Sequence, residues 1–207
     1  MQKFRPMRET ASRYYSDRIR KFGATAKGVD WNSEDSQRLR FRQLLRLADR
    51  EAESIIDFGC GYGAFADYLR SAGWRCRYTG YDISDPMIAQ ARATYGEDAL
   101  RTFTGDGDAL AVADYTFASG IFNVKQHHPA EAWQEYVLAT IETIGGLSAR
   151  GFAFNMLSTY SDRDKRREDL FYGAPAFFFD YCKTHFSSGA VLLHDYPLHE
   201  FTVFVRK

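Results

Sequence analysis

A chain of 207 residues with 45% hydrophobic side chains suits one globular domain with a sizeable core, and no run of about 18 apolar residues offers a membrane-spanning helix. The 27 basic and 27 acidic side chains cancel overall, yet residues 1–50 hold 13 basic against 6 acidic, a basic front on an acidic body. Three cysteines without C-x-x-C spacing exclude a disulfide framework and a zinc site, and the charged start reads as no secretory signal, so a reducing, cytoplasmic setting is expected.

Residues 9–22 place Tyr15, Ile19 and Phe22 on one helical face. A glycine-punctuated loop from Gly23 to Asp30 leads to Trp31, and Asn32 or Ser33 is placed to cap a second helix lined by Phe41, Leu44, Leu45 and Ala48. These helices precede the first strand, so an appendage over the mouth of a sheet is expected, with Tyr14, Trp31, Gln37 and Arg40 as residues to follow. For each of these four, ordinary packing or helix surface is the competing reading. The excess of basic residues suits either a solvated face or an anionic partner.

The stretch Ser54 to Leu69, SIIDFGCGYGAFADYL, organises the rest. A short apolar run ends in Asp57, Gly59, Gly61 and Gly63 follow at alternate positions, and Phe65, Tyr68, Leu69 and Ala72 fall at helical spacing before Gly73. Strand, tight turn and helix present bare backbone to a ligand, with the helix N-terminus adding partial positive charge. Gly59, Gly61 and Ala64 satisfy a loose dinucleotide fingerprint, but a carboxylate at Asp57 repels a pyrophosphate and favours a ligand with cationic groups. D-F-G-C-G-Y-G resembles the first motif of class I S-adenosylmethionine-dependent methyltransferases, an acid followed by x-G-x-G-x-G. That resemblance implies S-adenosylmethionine as methyl donor, S-adenosylhomocysteine as product, and the backbone of Gly59, Cys60 and Gly61 as part of the donor site.

Cys76 to Tyr81 reads as a second strand ending in Asp82, 19 residues beyond Gly63, where a βαβ unit returns to the same sheet edge and an acid can accept from both ribose hydroxyls. Ser84 caps a helix with Ile88, Ala91 and Tyr95 inward, and Ile83 and Met87 are placed to flank an adenine. After a third strand, Leu100 to Phe103, the resemblance makes Asp106 the acid at the adenine amino group, with Gly107 allowing close approach. Tyr115 to Ser119 is the fourth strand, and Ser119 joins the donor-site candidates. Three acids at the ends of three successive strands border one crevice in an open parallel sheet.

Pro129 opens a long helix with Trp133, Val137, Ile141 and Ile144 inward, and Gly151 to Met156 is a fifth strand. Beyond the charged stretch SDRDKRRED, Pro175 starts a helix with Phe178, Tyr181, Cys182 and Phe186 buried. Ala190 to Leu193 and Phe201 to Val205 are joined too closely for a crossover and must pair antiparallel. The expected fold is α/β: a three-layer Rossmann-like sandwich, a seven-stranded mostly parallel sheet with a C-terminal antiparallel hairpin. An N-terminal helical lid over residues 1–50 and a methyltransferase domain over 51–207 complete it.

Methyl transfer from a sulfonium asks the protein for alignment, exclusion of water and, for a hydroxyl acceptor, a base. Candidates are His194 at the end of the sixth strand, and His127 with His128 after the fourth, where Asn123 and Lys125 share the loop. Each histidine has a structural, hydrogen-bonded reading beside the catalytic one. The Asn-Pro-Pro-Tyr signature of nucleic-acid amino methyltransferases is absent after the fourth strand, and no carboxylate cluster there suggests a metal. The sequence therefore reads as a methyltransferase acting on oxygen or nitrogen of a small molecule, without metal, membrane or nucleic acid as partner. An RNA or protein methyltransferase and a non-catalytic S-adenosylmethionine- or nucleotide-binding module are the alternatives, and the oligomeric state is not legible.

Overall fold

Apolar residues alternate sides through the C-terminal half, and that alternation sets the layers. In a computed structural model describing residues 2–46 and 48–207, Phe152, Phe154 and Met156 of one strand face one buried cluster while Ala153 faces another. Phe201, Val203 and Val205 against Phe204 repeat the pattern. A sheet apolar on both faces must be covered on both. The strands are β1 (Ser54–Phe58), β2 (Arg77–Tyr81), β3 (Arg101–Thr104), β4 (Ala113–Ala118), β5 (Ser148–Leu157), β6 (Gly189–Leu193) and β7 (Glu200–Arg206). Their order is β3-β2-β1-β4-β5-β7-β6, parallel from β3 to β5. β7 lies antiparallel between β5 and β6, with Leu193 opposite Thr202 and Leu157 opposite Glu200.

The helices are α1 (Arg5–Phe22), α2 (Glu34–Leu45), α3 (Ala64–Ser71), α4 (Asp85–Tyr95), α5 (Ala130–Gly146) and α6 (Pro175–His185). α5 and α6 cover one face through Trp133, Val137, Ile141 and Phe178, while α2, α3 and α4 cover the other through Phe41, Leu44, Phe65 and Ile88. α1 begins four residues earlier than the apolar spacing indicates, because Pro6 in its first turn suits a helix start. Ser33 caps α2 with a reciprocal bond to Ser36, and Ser84 caps α4. α2 differs from the expected appendage: Leu44 and Phe41 are built into the sheet-face core. α1 and the loop after it lie over the strand ends, with Ser12 bonding the Ile83 carbonyl at 3.0 Å and the Ser16 and Ser84 hydroxyls 2.8 Å apart. Tyr181 and Phe186 are half-buried where full burial was expected. No helix among the described residues is long and apolar enough to cross a membrane.

Candidate functional site

The sheet order reverses between β1 and β4, and a crevice opens beyond the carboxyl ends of those strands. There the chain turns through Gly59 (φ 85°), Gly61 (φ 55°) and Gly63 (φ 87°), left-handed values that side chains disfavour. Space forbids them too: a Cβ would meet Ile121 Cγ2 at 2.2 Å from Gly59 and Val29 Cγ1 at 2.8 Å from Gly61. The Gly59 and Cys60 amides donate to the Tyr81 carbonyl at 2.7 and 2.9 Å. The Gly61 amide donates to Asp82 Oδ2 at 2.9 Å, tying the turn to the end of β2.

Two carboxylates meet at this turn. Asp82 Oδ1 also accepts from the Ser84 amide at 2.9 Å, and Asp57 Oδ2 accepts from the Tyr78 hydroxyl at 2.7 Å. Burial pushes the Asp57 carboxyl up to about 7, against the Tyr78 bond and with the help of the Asp82 charge. Burial likewise lifts Asp82 to about 6, opposed by the Ser84 and Gly61 amides. Neither carboxylate has an ion-pair partner among the described residues, so both are costly as anions and primed for a cation or hydroxyl donors. The Ser119 hydroxyl beside them is buried and has no partner among the described residues.

These groups line one crevice, the concave and mostly apolar kind of site that small molecules occupy. Ile83 and Met87 form part of one wall, Ala11 and Tyr15 of α1 close over it, and Trp31, Gln37 and Ile121 shape the remainder. Trp31 is held firmly: its ring occupies the space a Cβ on Gly120 would need, at 2.1 Å, and the Arg40 guanidinium stacks on it at 3.8 Å. Arg40 forks onto the buried Glu200 carboxylate, Nε to Oε2 at 2.8 Å and Nη2 to Oε1 at 2.5 Å.

Asp57, Gly59, Cys60, Gly61, Asp82, Ile83, Met87 and Ser119 thus border one cavity, and other expected residues do not. Asp106 is exposed and does not line the cavity; its Oδ1 accepts from the Asp108 amide at 2.9 Å, and the Tyr81 ring lies against Gly107. His194 is exposed beside Tyr160, ring centres 5.7 Å apart, while its neighbour Asp195 pairs with Arg46 at 2.8 Å. His127 is exposed and stacks on His128, which bonds Thr10 of α1 at 3.1 Å. Asn123 is buried and accepts from the Leu157 amide at 3.0 Å, fastening the loop after β4 to the end of β5. Tyr14 bonds Asp30 at 2.7 Å, outside the cavity. Tyr136, on the flank of α5 beside the apolar stripe, lines the cavity and was not singled out from sequence; its spacing from Trp133 and Val137 carries no signal of a ligand.

A mostly parallel seven-stranded sheet with β7 inserted antiparallel, a glycine turn after β1 and acids at the ends of β1 and β2 define the class I methyltransferase fold and crevice. The methyltransferase domain family matches residues 55–144. A provisionally named methyltransferase of Mycobacterium tuberculosis, Rv1506c, is 44% identical over 74% of this chain and 93% of its own length. The malonyl-[acyl-carrier protein] O-methyltransferase of Pseudescherichia vulneris is 32% identical over 46% of this chain, which spans only 37% of that protein. Among solved structures, magnesium protoporphyrin IX methyltransferase of Synechocystis with bound S-adenosylhomocysteine superposes with a TM-score of 0.66 at 14% identity, covering 99% of both chains. The N-methyltransferase NodS of Bradyrhizobium japonicum gives 0.65 at 13% identity over 95% of this chain and 98% of its own. The chain belongs to the class I S-adenosylmethionine-dependent methyltransferases and is an enzyme of that family.

Proposed function

We propose that the cavity holds S-adenosylmethionine together with a small acceptor, and that the chain transfers the methyl group to oxygen or nitrogen of that acceptor. The observation that carries this reading is the pair of buried carboxylates, Asp57 and Asp82, sharing one cavity with the left-handed glycine turn. The residues fit the donor chemically. Asp82 would accept from the ribose hydroxyls, Asp57 would receive the ammonium group, and the unpartnered Ser119 hydroxyl would bond the methionine end. Ile83 and Met87 would pack on the adenine. The donor supplies an electrophilic methyl on a sulfonium; the protein aligns the acceptor and keeps water out. α1 performs the second task by covering the crevice, and that cover supports a small acceptor over a polymer.

Asp106, expected at the adenine amino group, does not line the cavity and is left out of this assignment. The deciding experiment is parallel calorimetric titration with S-adenosylhomocysteine and NAD. Binding of the first, lost in Asp82→Ala, supports the reading; binding of NAD alone refutes it.

A further inference from the structure

The methionine end of S-adenosylmethionine carries a carboxylate as well as an ammonium group, and no Lys, Arg or His is among the described residues lining the crevice. The other obvious hydrogen-bond donors are spent. In the glycine turn the Gly59 and Cys60 amides donate to the Tyr81 carbonyl, the Gly63 amide to the Cys60 carbonyl and the Gly61 amide to Asp82. Arg40 has all three guanidinium nitrogens engaged, Nε and Nη2 on Glu200 and Nη1 on the Ser36 carbonyl at 2.9 Å. Arg8 meets the lining at the Tyr81 hydroxyl, 3.1 Å away, where it sits with Ile83 and Asp108. Two groups remain free among the described residues. Ser119 Oγ is buried without a partner, and Gln37, buried on α2 and lining the crevice, has its side chain engaged through oxygen alone: the Tyr62 hydroxyl donates to Oε1 at 3.1 Å. Burial pushes the Tyr62 phenol up to about 12, so it keeps the proton it donates.

We propose that Gln37 Nε2 and Ser119 Oγ receive the donor's carboxylate, a neutral cradle in place of a cation; this rests on the donor reading above. A carboxamide whose oxygen is taken offers N–H groups to a ligand, and such groups bond a carboxylate more strongly than a neutral acceptor. Position agrees with chemistry. Gln37 lies one turn before Arg40 on α2, Arg40 stacks on Trp31, and the Trp31 ring packs on Gly120, next to Ser119. Gln37 therefore belongs to the side of the crevice formed by the ends of β1 and β4, where Asp57 takes the ammonium, and away from the adenine wall of Ile83 and Met87. Behind this side Asn155 Oδ1 accepts from the Gly120 amide at 2.6 Å and fixes the strand end that carries Ser119. Neutrality has a purpose: a lysine or arginine in this place would pair with Asp57 and compete with the donor's ammonium for it.

The test titrates the full chain with S-adenosylhomocysteine and with its decarboxylated analogue, which keeps the amine and lacks the carboxylate. Gln37→Leu should weaken the first about tenfold or more and leave the second within about twofold, the loss expected for one hydrogen bond to a charged group. Gln37→Glu keeps an oxygen for the Tyr62 hydroxyl and should weaken the first at least as far, because its charge meets the carboxylate; where the leucine variant fails to fold, this one decides by the same two ligands. Ser119→Ala should show the same selectivity with a smaller loss. Equal losses on both ligands, or unchanged S-adenosylhomocysteine binding in the folded Gln37 variants, overturn the cradle and leave the donor reading standing. Failure of the parent to bind S-adenosylhomocysteine overturns the donor reading itself.

Discussion

Replacing Asp57 by Asn should stabilise the ligand-free protein and at the same time remove donor binding. The carboxyl sits at about 7 because it is buried 3% exposed without a cation, while its unfolded value is 3.8. That difference corresponds to about 4 kcal/mol of penalty once the group is ionised, an upper figure because Asp82 titrates beside it. An acid whose folded value is raised holds an extra proton in the folded state between the two values. Stability is therefore full at about pH 4 and falls as pH rises toward about 7. Asn keeps an oxygen for the Tyr78 hydroxyl, so the variant loses the charge and not the bond. At about pH 8 it should melt several degrees higher than the parent, given roughly 2–4 °C per kcal/mol for a chain of this size. The assay is a melting series from about pH 5 to 8.5 on both proteins, with S-adenosylhomocysteine titrated at each end. Equal pH slopes for parent and variant would refute the argument that a desolvated Asp57 carries the penalty.

Donor binding should itself be linked to protons: an ammonium placed against Asp57 lowers its pKa, so calorimetry at about pH 6.5 in buffers of different ionisation heat should show proton release that fades by about pH 9. Glu200→Gln leaves the Arg40 guanidinium buried without its anion and should cost about 3–5 kcal/mol in chemical unfolding. Gly120→Ala meets both a left-handed φ of 71° and the Trp31 ring, and should displace that ring, read as a shift in tryptophan emission together with weaker S-adenosylhomocysteine binding. His194→Ala and His127→Ala should each hold methyl transfer within about threefold of the parent, since both rings stand outside the cavity; a loss of about a hundredfold in either would restore a base to the mechanism.

What sequence conveyed, and what it did not, divides along the range of the interactions. The glycine turn, Asp57 and Asp82 are separated by local rules of strand, turn and helix, and their meeting follows from one βαβ unit. β7's place between β5 and β6 is a different matter: a short connection forces β6 and β7 to pair, but only the apolar alternation of both faces of β7 explains a second neighbour. Asp106 shows the limit of position along a strand. Its distance from β3 suits a crevice acid, but its side chain is exposed and does not line the cavity, which nothing in its local sequence signals. His194 and His127 attracted notice by chemical type, and both stand exposed, outside the residues that line the cavity. Arg40 with Glu200, 160 residues apart, left no local trace in either neighbourhood.

The central claim is that Asp57 and Asp82 together grip the donor, and a crystal structure with S-adenosylhomocysteine tests it most directly. The account requires the ribose hydroxyls within hydrogen-bond distance of Asp82, the amino group on Asp57 and the adenine between Ile83 and Met87. A nucleoside bound away from both carboxylates, or reaching Asp106 instead of Asp82, would contradict it.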